Sequence, residues 1–175
     1  MNQTFTYRSD PVRIVFGAGA IAALRAEAEF HNMSRLLVLC SASRAEFARR
    51  ATAAIADRCV GFCDASAPNM PRDAFERVIA DLKRLDADGF VVVGGGSPIG
   101  LAKAAAATTK VPYIAIVTTY SGSEMAARWR IGIAADRITG EGPQALPATA
   151  IYDPELTLDL PPRFSAASGM TFSSP

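Results

Sequence analysis

The sequence predicts a doubly wound, Rossmann-like α/β fold, with helices flanking a mostly parallel sheet. Short apolar, β-branched runs alternate with stretches whose apolar residues recur at helical spacing, which is typical of consecutive strand–helix units. The run Phe90-Val91-Val92-Val93 is apolar on both faces, as a strand between two layers of helices requires. With 175 residues, half of them hydrophobic, the chain is long enough to bury one such core.

The predicted elements follow one another closely up to residue 117 and more loosely after it. The strands are Val12 to Phe16, Leu36 to Leu39, Val60 to Cys63, Phe90 to Val93, Tyr113 to Val117, Arg130 to Ala134 and Thr149 to Tyr152; the helices are Ala20 to Phe30, Ala45 to Asp57, Asp73 to Leu85 and Ile99 to Thr108. Asp136 to Pro147 is turn-rich, and the Pro- and Ser-rich sequence after Asp153 predicts an extended connection. We therefore expect a domain over residues 1–160 and a linker over residues 161–175.

Composition excludes several classes of function. The formal charge is +1 without long runs of one sign, which argues against nucleic-acid and membrane-surface partners. The N-terminus lacks a signal pattern, and no apolar stretch approaches the ~18 residues of a membrane span. Three cysteines without disulfide or zinc spacing indicate reduced thiols in a cytoplasmic protein. The single histidine, His31, follows a predicted helix and is expected at the surface or at a helix cap, so a histidine-rich metal centre cannot be built from these residues.

The turn Gly94-Gly95-Gly96-Ser97-Pro98 is the strongest candidate for a ligand site. The three glycines remove every Cβ where a buried strand ends, so that a ligand can approach the backbone. Ser97 is expected as the N-cap and Pro98 as the first residue of the following helix. Such a helix start directs free N–H groups and a positive dipole end at the turn, which predicts a phosphate site. A tight turn without a ligand is the alternative.

Two other loops leave strand ends on the same side of the predicted sheet. Gly17 to Ala22 has the G-x-G-x-x-A form of a dinucleotide fingerprint, but the second strand ends Leu39-Cys40-Ser41 without the carboxylate that the fingerprint requires. It is either a phosphate loop or a plain strand-to-helix turn. Thr118 to Glu124 offers hydroxyls and a glycine one βα unit after the glycine turn, so the two turns together outline one cleft.

These motifs resemble those of a known family. GGGSPIGLAKA, TTYSGSEM and IYDPELTLDLPP followed by SAASGM, in this order, are similar to the iron-containing (group III) alcohol dehydrogenases, from about Arg13 to Met170. Within that family the motifs are most like those of maleylacetate reductases. Gly100 stands where many family members have an aspartate, and TTYSGSE replaces their longer TTAGTGSE.

The resemblance implies a cofactor, NAD or NADP, lying over this domain. It assigns Gly96 and Ser97 to the pyrophosphate, Thr118 and Thr119 to phosphate or ribose, and Asn69 to the adenosine half. The positions expected at the cofactor are Asn69, Gly94, Gly95, Gly96, Ser97, Thr118, Thr119, Ser123, Arg137 and Leu156. Arg137 stands where the family often has a lysine. Asn69 as a turn cap and Leu156 as a core residue are the alternatives.

Two departures from the family pattern limit these expectations. Ser41 replaces an aspartate that selects NAD in many relatives, so both NAD and NADP are expected to be accepted. After Met170 the family continues into a helical domain that supplies metal-binding histidines and most of the substrate pocket, whereas this sequence reads Thr171-Phe172-Ser173-Ser174-Pro175.

We therefore expect the N-terminal cofactor-binding domain of an NAD(P)H-dependent reductase that converts 2-maleylacetate to 3-oxoadipate in the breakdown of aromatic compounds. The metal site of the family is expected to be absent, and the fragment is expected to be inactive alone. A homodimer is compatible with the resemblance. The alternatives are another alcohol or polyol dehydrogenase of the family, a non-catalytic module that binds a dinucleotide or a partner, and a gene remnant.

Overall fold

The computed structural model describes residues 12–133 and 137–172, and these residues form one α/β unit. The strands are β1 (Arg13–Phe16), β2 (Leu36–Ser41), β3 (Cys59–Ser66), β4 (Gly89–Gly94), β5 (Tyr113–Val117), β6 (Arg128–Ile131), β7 (Ile138–Glu141) and β8 (Thr149–Tyr152). The α-helices are α1 (Leu24–Phe30), α2 (Ala45–Ala51), α3 (Arg72–Arg84), α4 (Gly96–Thr109) and α5 (Pro162–Phe172). None of the helices in this part of the chain has the length and apolar character needed to cross a membrane.

Six strands form a parallel sheet in the order β1-β8-β5-β4-β2-β3, and β6 and β7 form a separate antiparallel hairpin. The connection from β2 leads to β3 at one edge of the sheet, whereas the connection from β4 leads to β5 in the opposite direction. The direction in which the strands are added therefore reverses between the adjacent strands β2 and β4. In open parallel sheets, the crevice beyond the carboxyl ends at such a reversal is where ligands bind.

The core lies in two layers, one on each face of the sheet. Along β4, Phe90 and Val92 belong to the layer that includes α3 and α4, while Val91 and Val93 belong to the layer that includes α1 and α2. All four side chains are at most 1% exposed. Burial of each contributes roughly 1.5–3 kcal/mol, which explains why both faces of this strand are apolar. The predicted doubly wound fold is confirmed.

The strands and helices predicted up to residue 117 are present, with ends shifted by a few residues. The predicted helix Ala20 to Phe30 begins with a turn of 3₁₀ helix, Ala20–Ala23, before α1. The second helix ends earlier than predicted, because α2 stops at Ala51 and a separate 3₁₀ turn, Ala53–Ile55, follows it.

Three predictions beyond residue 117 need correction. The stretch Asp136 to Pro147, predicted as turns, contains β7, which pairs with β6. The predicted strand Arg130 to Ala134 corresponds to β6, which starts two residues earlier, at Arg128, and ends at Ile131; Ala134 falls outside the described residues. The predicted extended connection is partly helical, because α5 spans Pro162–Phe172. Pro162 fits the first turn of a helix, where a missing N–H removes no intrahelical bond.

Candidate functional site

A cleft of about 1430 Å³ lies at the carboxyl ends of the strands, where the strand order reverses. The turns after β2, β4 and β5 line it, together with the loop before α3, the β6–β7 hairpin and α5. Trp129 comes from the hairpin, and Phe164 and Ala167 come from α5. The cleft is large enough for a dinucleotide, since ligand pockets commonly measure ~300–1,000 Å³.

The N-terminus of α4 opens into this cleft without a side-chain cap. The N-cap is Gly95, and the bond from Ile99 N to Gly95 O, 3.0 Å long, begins the helical ladder. Ser97 is therefore in the first turn of the helix, and the prediction that it is the N-cap is wrong. Gly96 and Ser97 are the first two residues of the helix, so their amides have no intrahelical acceptor. Gly95 has no side chain that could accept from them. This helix start can bind an anion.

The three glycines of the turn have different roles. A Cβ on Gly94 would lie 2.6 Å from Cγ of Pro98, and a Cβ on Gly95 would collide with the side chain of Thr119. These two glycines let the turn pack against the protein itself. A Cβ on Gly96 would meet only Ser121 Oγ, at 3.8 Å. Gly96 is thus the one position of the three where absence of a side chain leaves the backbone open to a ligand.

Two hydroxyl groups of the turn after β5 line the cleft without a protein partner. Thr119 Oγ1 and Ser121 Oγ are buried, and neither has a hydrogen-bond partner among the described residues. A buried hydroxyl without a partner costs roughly 1–3 kcal/mol. Both side chains therefore fit a ligand that brings hydrogen-bond acceptors to this side of the cleft.

A buried lysine adds positive charge to the cleft. Lys103 of α4 is 3% exposed and lines the cleft, and its Nζ donates to the Ser123 carbonyl at 2.8 Å. Burial lowers the pKa of Lys103 to about 8, although the charge of nearby Glu124 opposes this shift. Lys103 is therefore still mainly protonated at neutral pH, but it loses its charge more readily than an exposed lysine.

Glu124 is fixed next to this lysine by a tyrosine. The hydroxyl of Tyr152, on β8, donates to Glu124 Oε1 at 2.6 Å, while Glu124 Oε2 is buried and has no hydrogen-bond partner in the described ranges. Burial, and then the hydrogen bond and charge of Glu124, raise the pKa of Tyr152. Tyr152 therefore remains a hydrogen-bond donor and holds this carboxylate in the turn after β5.

The loop before α3 approaches the cleft in an uncommon backbone conformation. Asn69 and Met70 have φ values of 63° and 50°, both in the left-handed region. Asn tolerates this region, but Met rarely adopts it. The Met70 carbonyl accepts from Gly132 N at 2.9 Å, and its thioether packs onto Gly100 of α4. This conformation places Asn69 and Met70 at the cleft.

The fingerprint-like turn Gly17 to Ala22 does not take part in the cleft. Its amides donate to a carboxylate of the protein, because Gly19 N and Ile21 N lie 3.2 and 3.1 Å from the Asp153 carboxylate oxygens. Gly17 N donates to the Tyr152 carbonyl at 3.1 Å. Asp153, only 2% exposed, thus occupies the position that a phosphate would need. Of the two alternatives, the structure favours the plain turn.

Eight of the ten predicted site residues line the cleft: Asn69, Gly94, Gly95, Gly96, Ser97, Thr118, Thr119 and Ser123. The other two lie outside its lining. Arg137 is exposed in the hairpin between β6 and β7, and Leu156 packs against the core layer that contains α1 and α2. Cofactor contact remains a prediction for all ten.

Several cleft residues were missed from the sequence, and one of them had a usable signal. Lys103 is the single charged residue of α4, whose positions from Ile99 to Ala106 are all buried. A charged residue within such an apolar helix indicates a special environment. Met70, Trp129 and α5 gave no comparable signal, because their approach to the cleft depends on tertiary packing.

His31 has a structural role. It occupies the C-cap position of α1, which is one of the two positions expected for it from the sequence. Its Nε2 lies 2.8 Å from Thr149 Oγ1. Thr149 donates in turn to Glu27, whose carboxylate also accepts from Arg13. Across residues 12–133 and 137–172, no three His, Cys, Asp or Glu side chains are grouped so that they could hold a metal ion.

Comparison with known proteins shows the family of this chain. The model of the family described as "Iron-containing alcohol dehydrogenase" matches residues 11–154. The chain belongs to the iron-containing alcohol dehydrogenase family. Maleylacetate reductase 2 of Cupriavidus pinatubonensis is 39% identical over 160 residues, which cover 91% of this chain and 45% of the relative. A maleylacetate reductase of Sphingobium indicum is 37% identical over 166 residues, or 95% of this chain and 47% of the relative.

Solved structures have the same fold. The maleylacetate reductase of Agrobacterium tumefaciens superposes with a TM-score of 0.89 at 35% identity, over 97% of this chain and 48% of that one. A sulfoacetaldehyde reductase of Bifidobacterium kashiwanohense, determined in complex with NAD⁺, superposes with a TM-score of 0.86 at 23% identity, over 97% of this chain and 51% of that one. The chain spans about half the length of the curated relatives that it matches.

Proposed function

We propose that the cleft binds a nicotinamide dinucleotide, with the pyrophosphate at the N-terminus of α4. The observation that carries this proposal is the uncapped helix start at Gly95, which leaves the amides of Gly96 and Ser97 directed at a cleft on the sheet's reversal point. On the neighbouring turn, Thr119 and Ser121 supply hydroxyls that have no hydrogen-bond partner in the part of the chain that the structure describes. A pyrophosphate carries negative charge, and its oxygen atoms would accept hydrogen bonds from these amides and hydroxyls.

The residues of the chain would bind and orient the cofactor. The α4 amides and the Lys103 ammonium would hold the phosphates, while Met70 and Trp129 would cover part of the bound molecule. A bound nicotinamide dinucleotide supplies hydride chemistry, and the protein contributes binding and orientation. Glu124, held by Tyr152, fixes the position of the turn after β5.

For the whole protein we propose a maleylacetate reductase-like activity, the NAD(P)H-dependent reduction of 2-maleylacetate to 3-oxoadipate in aromatic catabolism. The support is the 34–39% identity to curated maleylacetate reductases, which extends over about half of their length. Within this activity, the 175-residue chain would supply the cofactor-binding half. We expect that chain, purified alone, to bind the dinucleotide without measurable turnover of 2-maleylacetate.

Binding and turnover can be measured separately. Isothermal titration of the purified chain with NADH and with NADPH should give saturable binding of at least one of them, whereas nicotinamide mononucleotide, which lacks the pyrophosphate, should bind more weakly. Absence of binding to both dinucleotides at millimolar concentrations would refute the proposed site. The absorbance of the reduced nicotinamide, followed with 2-maleylacetate, tests the activity, and clear turnover by this chain would overturn the expectation that it is only the binding half.

A further inference from the structure

We infer that the cleft prefers a dinucleotide with a phosphate on its adenosine ribose, NADPH, over NADH, and that Arg44 is the residue that recognises this phosphate. This inference rests on the proposed function, because it concerns the far end of the same bound molecule. It depends on three observations: where β2 ends relative to β4, which side chains lie in the turn after β2, and which groups contact Arg44.

The end of β2 lies beside the glycine turn at the same level of the sheet. Leu39 of β2 pairs with Val92 of β4, and two residues later the strands end at Ser41 and Gly94. Neighbouring strands lie about 4.8 Å apart. A pyrophosphate on the α4 amides therefore has its adenosine ribose within reach of the turn after β2, the usual arrangement at a sheet reversal.

The turn after β2 carries hydroxyls and a guanidinium in place of a carboxylate. Ser41, Ser43 and Arg44 line the cleft, and the Ser41 and Ser43 hydroxyl oxygens are 3.3 Å apart. A carboxylate here would accept hydrogen bonds from a free ribose 2′-hydroxyl and repel a phosphate, whereas an arginine accommodates the phosphate. Glu46 is the nearest acid along the chain; it is exposed and is not part of the cleft lining.

Arg44 is available for such a phosphate. Its guanidinium lies over the ring of Phe47, with 5.0 Å from Cζ to the ring centroid. Among residues that the structure describes, no carboxylate lies within ion-pair distance of it. The contact with Phe47 restrains the planar guanidinium and leaves its N–H groups unneutralised. Arginine N–H groups in this state bind phosphate oxygens through charge-assisted, often bidentate hydrogen bonds.

The charges around the cleft favour a ligand of high negative charge. The charged residues of its lining are Arg44, Lys103, Arg128, Arg130, Glu141 and Asp159. Arg128 and Glu141 form an ion pair 3.3 Å long, so they largely neutralise each other. The remaining groups have an excess of positive charge, which would attract the additional phosphate of NADPH.

Isothermal titration of the 175-residue chain with NADPH, NADH, 2′,5′-ADP and 5′-ADP tests the inference, because the last two differ in the 2′-phosphate and lack the nicotinamide. We expect NADPH and 2′,5′-ADP to bind about tenfold or more tightly than their unphosphorylated counterparts. Arg44→Gln should remove this difference, because it should weaken NADPH and 2′,5′-ADP much more than NADH and 5′-ADP. Ser41→Asp should reverse the preference. Arg49→Gln is the matched control, since Arg49 lies on α2 over Phe62 and does not line the cleft.

The outcomes separate this inference from the proposed function. If NADH binds as tightly as NADPH, or if Arg44→Gln weakens both equally, the phosphate preference is wrong and the dinucleotide site stands. If neither dinucleotide binds and 2′,5′-ADP does not bind, the proposed function and this inference are both refuted.

Discussion

The thioether of Met70 occupies the space that a side chain at Gly100 would need. A Cβ built on Gly100 would collide with Met70 Sδ, and its next nearest atom would be Met70 Cε, at 3.3 Å. Residue 100 is on α4, whereas Met70 belongs to the loop before α3, so this contact joins two walls of the cleft. The packing of Met70 thus explains why residue 100 is a glycine. The two positions should be treated as one unit.

This coupling predicts a non-additive pair of substitutions. Gly100→Ala should destabilise the fold by about 1–3 kcal/mol, because the added methyl group overpacks a buried contact. Met70→Ala removes the obstructing thioether, so Gly100→Ala in that background should cost much less. Chemical denaturation of the two single variants and the double variant measures the coupling. Additive effects would show that the two residues do not share this space.

A second prediction separates Gly95 from Gly96 in the glycine turn after β4. Gly96→Ala should leave the melting temperature nearly unchanged, since its Cβ meets only Ser121 Oγ at 3.8 Å. It should weaken dinucleotide binding about tenfold, equivalent to 1.4 kcal/mol, because the methyl group lies where the phosphate approaches the amide. Gly95→Ala should instead destabilise the fold through its collision with Thr119. Thermal unfolding and titration distinguish the two effects, and a Gly96→Ala variant with unaltered affinity would contradict the proposed phosphate position.

Lys103 predicts a pH dependence of binding. Because its pKa is lowered to about 8, its positive charge is lost as the pH rises through that value, and dinucleotide affinity should fall with it. A bound phosphate favours the ammonium and should move the midpoint of this loss upward. Lys103→Met should bind more weakly and lack this pH dependence, whereas Lys103→Arg should keep its charge throughout. Identical pH profiles for the wild type and Lys103→Met would exclude Lys103 from phosphate binding.

The same lysine predicts a pH dependence of stability with a defined sign. Its pKa is about 8 in the folded chain, against an ordinary value of 10.5. Between these values the unfolded chain binds the proton that the folded chain has released, so the contribution of Lys103 to stability rises with pH. Below about pH 8 the folded chain carries the full cost of the buried charge. The difference in unfolding free energy between wild type and Lys103→Met, measured at several pH values, isolates this effect from other titrating groups.

Asp153 supplies the fifth prediction. Asp153→Ala leaves the amides of Gly19 and Ile21 without their acceptor, and we expect a loss of about 0.5–2 kcal/mol, as for other capping residues. Sulfate should partly restore stability, because the freed amides form an anion site. Glu155→Gln, two residues away on the same turn, is the control and should change little. Equal melting temperatures for Asp153→Ala and the wild type would show that this carboxylate is not structurally important.

The core of the sheet was predictable because local pattern and tertiary environment agree there. Val91 and Phe90 face opposite helical layers, and only a strand that is apolar on both sides satisfies both. The glycine turn and the turn after β5 were predictable for a related reason, since parallel strands bring their carboxyl ends to one edge. The cleft residues that lie at these strand ends could therefore be predicted from the sequence.

The remainder depends on contacts between residues that are distant in sequence. β7 is short and polar, and its pairing with β6 fixes it as a strand. Helix α5 begins at a proline pair typical of connections, yet it packs on the cleft, where Ser168 Oγ accepts from Tyr120 N at 3.2 Å. Ser97 is not the N-cap because the helix starts two residues earlier than predicted, with Gly95 at the N-cap position. None of these outcomes follows from local propensity.

The contacts of Asp153 also bear on the order in which the chain can fold. Among the described strands, β1 stands at one end of the sheet order, next to β8. The carboxylate that satisfies the first glycine turn is separated from Gly19 by 134 residues. During synthesis β1 therefore has neither its partner β8 nor the Asp153 carboxylate until residues 149–153 have emerged from the ribosome. Contacts of such long range form slowly, so docking of the N-terminal βα unit should be a late step, completed after β2 to β5 have assembled.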